Sequence, residues 1–276
     1  MNQFGGDWTQ RKIEMVINYA KAYLTIMNKY PQFKTLYFDG FAGSGDIYLE
    51  GEVDIEVVKG TAIRVLEISN PKSFDRYYFV EKNEENKKIL ENTINMEFSN
   101  KTTNIVCEDC NVKLRSMADY LKKNKDFRVL AFIDPYGMSL NWSSIEALKG
   151  LGIDMWILVP TGIGVNRLLK NDREISDSWL LKLEIFLGLD KQKILEYFYK
   201  VDKRLTLFGE ETIVKKENNA IERAGELYQK RLNEIFKFVS KPYPLTNSTG
   251  SIMYHFMMAT NNNTALKIAN DIIKSK

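Results

Sequence analysis

Cysteine and histidine are scarce in this 276-residue chain, which has two cysteines, Cys107 and Cys110, and one histidine, His255. A lone CxxC pair is half of a tetrahedral zinc site and His255 is remote in sequence, so no metal centre is expected. The two thiols read as ordinary residues at a strand end. A single imidazole also argues against Ser/His/Asp or Cys/His catalysis, which needs a placed histidine. Long apolar runs are lacking: none approaches the ~18–20 residues of a membrane span, and Met1 to Lys12 has no signal-peptide core. A cytoplasmic protein with no membrane partner is expected. Charge of one sign is lacking too. The 39 Lys and Arg face 36 Asp and Glu, an excess too small to argue for nucleic-acid binding by itself.

What is present is an average globular composition, 44% apolar and 27% charged. The length suits a domain of ~150–200 residues carrying an extra lobe. Trp8 to Met27 places Ile13, Val16, Ile17, Ala20, Tyr23 and Leu24 at spacings of three and four, which predicts a helix with Thr9 as its cap. Strands are predicted at Thr35 to Asp39, Arg76 to Glu81, Thr103 to Glu108, Arg128 to Asp134 and Asp154 to Val159. Helical patterns separate them at Gly60 to Ile68, Asn83 to Phe98, Asn111 to Lys123 and Ser143 to Leu148. This alternation predicts a mostly parallel α/β sheet with right-handed crossovers, covered on both faces. Strand signals fade from Gly164 to about Lys237, which reads as a helical insertion lobe. Lys241 to Leu245 and Ser251 to Thr260 then read as strands, and Thr264 to Ile273 as a closing helix. The predicted division is a core over 1–163, the lobe over 164–237, and final strands and helix over 238–276 that complete the core.

The most informative segment is Asp39-Gly40-Phe41-Ala42-Gly43-Ser44-Gly45, just past the first strand. Its glycines permit a tight turn and close backbone approach to a ligand in the crevice of an open α/β sheet. The spacing matches neither the dinucleotide G-x-G-x-x-G nor a Walker A loop, so NAD and ATP are disfavoured. A glycine loop alone is also met in plain βα turns. The second strand ends in Glu81, followed by Lys82 and Asn83; an acid there can accept hydrogen bonds from both hydroxyls of a ribose. The separation from the glycines exceeds the usual ~20 residues, which an insertion over Asp46 to Lys59 explains. After the third strand, Asp109, with Glu108 as rival, is placed to bond an adenine amino group, with Cys110 beside it and Asn111 able to cap the next helix. After the fourth strand, Asp134-Pro135-Tyr136 sets an acid, a fixed carbonyl and an aromatic face at the lip of the same crevice. The acid and the carbonyl suit a substrate N–H, and the ring suits a planar base.

Phe41-Ala-Gly-Ser-Gly45 together with Asp134-Pro-Tyr-Gly137 resembles the amino-directed methyltransferases that use S-adenosyl-L-methionine, although their second proline is missing here. That resemblance implies a Rossmann-like methyltransferase fold, a mostly parallel sheet finished by a terminal antiparallel strand. Over nearly the whole chain the sequence is similar to the bacterial three-Cys-motif partner protein family, TcmP. The similarity lies in Trp8-Thr-Gln-Arg-Lys12, Asp39 to Gly45, Phe132 to Gly137, Val159-Pro-Thr-Gly162 and Tyr254-His-Phe-Met-Met-Ala-Thr260. The TcmP similarity bears on the fold more than on the substrate; the resemblance to amino-directed methyltransferases implies methyl transfer to an amino nitrogen of a nucleic-acid base, with Asp134, Pro135 and Tyr136 holding the substrate. Asp39, Gly40, Phe41, Ala42, Gly43, Gly45, Glu81, Lys82, Asp109 and Cys110 would hold the cofactor. Two alternatives remain open: a protein or small-molecule methyltransferase, and a cofactor-binding subunit serving the family's three-cysteine iron–sulfur partner.

Overall fold

The computed structural model describes residues 7–50, 55–170, 174–206 and 209–275. The chain opens with α1 (Asp7–Met27) and β1 (Lys34–Asp39). A hairpin follows, β2 (Asp46–Glu50) and β3 (Ile55–Lys59), and then α2 (Thr61–Leu66). Next come β4 (Arg76–Glu81), α3 (Glu84–Glu97), β5 (Thr103–Cys107) and α4 (Cys110–Lys123). The second half of the sheet begins with β6 (Phe127–Ile133), α5 (Trp142–Glu146) and β7 (Ile153–Val159), and a π-helical turn, Thr161–Asn166, ends it. After this turn lie α6 (Asp177–Leu187), α7 (Lys191–Phe198), a second hairpin of β8 (Tyr199–Thr206) and β9 (Gly209–Lys216), and α8 (Ala220–Leu232). The end of the chain is β10 (Phe238–Val239), β11 (Tyr243–Thr246), β12 (Ile252–Thr260) and α9 (Asn263–Lys274).

The main sheet runs β10-β12-β7-β6-β1-β4-β5, with β11 also paired to β12. The pairs β5–β4, β4–β1, β1–β6 and β6–β7 are parallel, whereas β12 is antiparallel to β7. This is the Rossmann-like methyltransferase fold. The chain winds outward from β1 through β4 to β5, then returns to β6 on the other side. Strand order therefore reverses between β1 and β6, where an open α/β sheet leaves a crevice past the carboxyl ends of its strands.

Strand alternation builds two cores. In β6, Val129, Ala131 and Ile133 face α4 to α8, while Leu130 and Phe132 face α1, α2, α3 and α9. β7 divides likewise, Met155 and Ile157 to the first layer and Trp156 and Leu158 to the second. Apolar side chains on both faces explain the nearly unbroken hydrophobic runs of these strands. The predicted face of α1, Ile13 to Leu24, is buried as its periodicity requires.

The structure departs from the sequence expectations in three places. The Asp46 to Lys59 insertion is a hairpin, and the 164–237 segment holds the β8–β9 hairpin besides its helices. Val201, Leu205, Ile213 and Val214 are interleaved with so many charges that their strand signal is diluted. Thr9 lies inside α1, and its buried hydroxyl has no hydrogen-bond partner, so it is not the cap.

The π-helical turn sits directly against β12. A Cβ built on Gly162 would lie 2.0 Å from the carbonyl oxygen of Ile252, so only glycine fits between turn and strand. Gly162→Ala is expected to lower stability by at least ~1–3 kcal/mol through overpacking against rigid backbone. Urea unfolding measures it, and an unchanged midpoint would refute the close approach.

Candidate functional site

The crevice is built on hydrogen bonds that fix the Asp39 to Gly45 loop on both sides. Gly40 donates its N–H to Phe132 of β6 at 3.0 Å, and Ala42 donates to Val80 of β4 at 2.9 Å. The loop thus bridges the two strands that flank β1. Gly43 and Gly45 have φ of +65° and +93°, a left-handed backbone open to glycine at no steric cost. Gly40 is required for another reason: a Cβ there would meet the Cys110 sulfur at 2.6 Å. Cys110 is buried packing under the loop, and burial pushes its thiol far up from the usual range.

Glu81 latches the loop. The side chain is buried; Oε2 accepts the Gly43 N–H at 2.9 Å and Oε1 accepts the Asn83 N–H at 2.7 Å. Each carboxylate oxygen accepts two hydrogen bonds, so one acceptor position per oxygen remains. Asn83 then caps α3, accepting from the amides of Glu85 and Asn86.

Asp109 serves as the N-cap of α4, accepting the Asn111 N–H at 2.8 Å, and Lys82 approaches its other oxygen at 3.4 Å. The capping expected of Asn111 is therefore made by Asp109, whose extended backbone places it outside the helix. Asn111 instead donates to Ser139 and accepts from the Asn141 amide, which fixes the chain that follows Tyr136.

Past β6, Asp134 receives a hydrogen bond and an ion pair from Lys12 of α1. The side chain of Lys12 is 6% exposed and that of Asp134 is 25% exposed, so the cation is the enclosed partner and the carboxylate is the one that reaches the crevice. Trp8 and Phe132 flank the ammonium, with ring centroids at 5.3 and 5.9 Å. Tyr254, at the start of β12, packs on Trp8 at 5.1 Å. Burial, and then Asp134, push its phenol up to about 12. Pro135 is buried, while Tyr136 is 61% exposed and meets Phe41 edge-on at 6.2 Å. Burial, and then Glu81, Asp134 and Asp39, raise the Tyr136 phenol to about 12.

The sequence-selected residues are thus brought to one rim, with Cys110 beneath it. Lys12, Trp8 and Tyr254 were missed, although two of the quoted motifs contain them. His255 lies apart, its Nδ1 at 2.8 Å from Thr161 Oγ1, and burial pushes its pKa down to about 4.

No protein-family model matches the sequence, and no curated protein matches it. Among solved structures, protein LPL1258 from Legionella pneumophila aligns with a TM-score of 0.50 at 11% identity, covering 99% of this chain and 93% of that one. This likeness concerns the fold. Trm1 from Pyrococcus horikoshii, solved with S-adenosyl-L-methionine, aligns at a TM-score of 0.39 and 12% identity, over 99% of this chain and 73% of its own. An S-adenosylmethionine-dependent methyltransferase from Clostridium acetobutylicum gives 0.38 and 10%, over 89% and 92%.

Asp39 gives the crevice a titration signature. Burial raises its carboxyl to about 7, against the Phe41 amide that stabilises the charge, with Asp134 raising it further and Tyr37 and Lys12 opposing. A folded-state pKa above the unfolded value adds stability below pH ~4 that is lost as pH rises through ~7. Asp39→Asn has no such dependence, so its stability relative to wild type should improve by a few kcal/mol between pH 4.5 and 8, at ~1.36 kcal/mol for each pH unit that separates the folded and unfolded pKa values. Urea titrations at both pH values test this, and a constant or opposite difference would refute it.

Proposed function

We propose that this protein is an S-adenosylmethionine-dependent methyltransferase acting on an amino nitrogen of a nucleic-acid base. The observation that carries the reading is the left-handed glycine loop at the strand-order reversal, latched by Glu81 and carrying Phe41 against the exposed Tyr136 ring. The crevice fits the cofactor on two counts. A Cβ at Gly43 would meet nothing within 4 Å, so the loop is open on the ligand side, and Glu81 keeps two acceptor positions for ribose hydroxyls. S-adenosylmethionine, when bound, supplies an electrophilic methyl carbon that carries its own leaving group.

The chain's own task is then orientation, which contributes several kcal/mol toward the barrier. Lys12 donates to Asp134 and fixes its rotamer. Asp134 and the carbonyl of Pro135 accept the acceptor's N–H groups, and the exposed Tyr136 ring offers a stacking face for the base. We assign Lys82 and Asp109, which approach each other at 3.4 Å, to the adenine end of the cofactor. Two segments that carry the resemblance to the TcmP family, Trp8 to Lys12 and Phe132 to Gly137, meet in the Lys12–Asp134 pair, which supports membership in that family.

The test is incubation with methyl-labelled S-adenosylmethionine and cell-derived DNA, RNA and protein, with and without a three-cysteine iron–sulfur partner. Label is expected in nucleic acid without the partner. Label confined to protein, or transfer only with the partner, would overturn the reading. On the labelled substrate, Tyr136→Ala should lower kcat/KM by about 5- to 150-fold, the loss of ~1–3 kcal/mol of stacking, while Tyr136→Phe stays within threefold. Equal damage by both variants would refute stacking.

A further inference from the structure

A second cavity, of about 230 Å³, lies between α4 and strands β1, β4, β5 and β6. It is separate from the crevice. Arg76 and Phe127 are the first residues of their strands, whereas Glu81 and Asp134 mark the far ends, roughly 16 and 23 Å away at ~3.3 Å per residue. One wall is aromatic: Phe38 and Tyr78 stack with 5.8 Å between centroids and 11° between planes. Tyr120 and Phe127 meet edge-on at 5.4 Å on another side. Lys113, Ser116, Met117 and Tyr120 follow one stripe of α4 and form the roof.

Arg76 and Lys113 line this cavity, and among the described residues neither has a carboxylate partner. The Arg76 guanidinium rests 5.9 Å from the Phe127 centroid. Nearby acids are engaged elsewhere. Asp126 pairs with Lys34 at 3.1 Å, Asp75 with Lys72 at 3.3 Å and Asp119 with Lys122 at 3.0 Å. Glu108, which acts on Tyr78, accepts the Asp109 amide at 3.1 Å. The side-chain amide of Asn104 completes the lining. An apolar, flat-walled cavity carrying two unpaired cations is complementary to a planar ring with an anionic group.

We infer that this cavity is a binding site for a small aromatic carboxylate of one or two fused rings, its ring against Phe38 and Tyr78 and its carboxylate on Arg76 and Lys113. Size selects this occupant. The volume lies below the ~300–1,000 Å³ of drug-sized pockets, too little for base, ribose and phosphate together. An Arg fork also matches carboxylate geometry bidentately.

The test is calorimetric titration of the full chain with indole-3-carboxylate, indole and uridine monophosphate. Saturable binding of indole-3-carboxylate is expected, at least tenfold tighter than either of the others. The double variant Arg76→Gln, Lys113→Gln should weaken it at least tenfold, since each charged hydrogen bond contributes about 1.5–3 kcal/mol. Ser116→Phe, on the exposed roof, should block it with an unchanged melting temperature. Absence of saturable binding, equal binding of indole, tighter binding of uridine monophosphate, or indifference to both variants would overturn the inference.

Discussion

The carboxylate of Glu81 accepts the Gly43 amide at 2.9 Å and the Asn83 amide at 2.7 Å, and through these two bonds the loop after β1 and the loop after β4 become one surface. The Ala42 amide adds a backbone bond to Val80 of β4 on the same side. The glycines leave the chain free to take a left-handed path, and the buried acid selects one path among those available. Charge-assisted bonds to backbone amides are about twice as strong as neutral ones, which offsets the cost of burying Glu81. Removing the acid would release both amides and the start of α3 with them.

Crowding three acids at one rim is unfavourable unless charge is neutralised. The chain uses two devices. Lys12 enters from α1 and pairs with Asp134, and Asp39 is shifted toward its neutral form near pH 7. The ammonium is enclosed by Trp8 and Phe132, so Lys12 is held by packing as well as by charge. Breaking such a pair from one side leaves an uncompensated buried charge, which costs about 3–5 kcal/mol. Helix α1 is thereby part of the crevice and not only a cover for the sheet.

Strands β1, β4 and β6 were legible because each is apolar on both faces and runs into an acid: the strand read at Arg76 to Glu81 is β4 itself. The rim residues were legible for the same reason, since they follow strand ends. The hairpins over 46–59 and 199–216 were not, because their charges dilute the two-residue alternation that marks a half-buried strand. Lys12 left a fainter signal. It stands four residues after Trp8 and four before Val16, in line with the buried stripe of α1, where a charge is costly without a partner. Its partner is 122 residues away and only the folded sheet brings it near. At Asp109 and Asn111 both side chains can cap a helix, and backbone geometry alone decides between them.

The central claim is that the Asp39 to Gly45 loop receives S-adenosylmethionine by close approach to its backbone. Calorimetric titration of the cofactor into wild type and Gly43→Val tests it most directly, because a Cβ at Gly43 would meet no protein atom within 4 Å, and the strain that Val brings at a φ of +65° is read separately from the variant's urea midpoint. Saturable binding to wild type is predicted, at least tenfold weaker in a variant whose circular dichroism is unchanged. Equal affinity for both proteins, or no binding to wild type, would contradict the account.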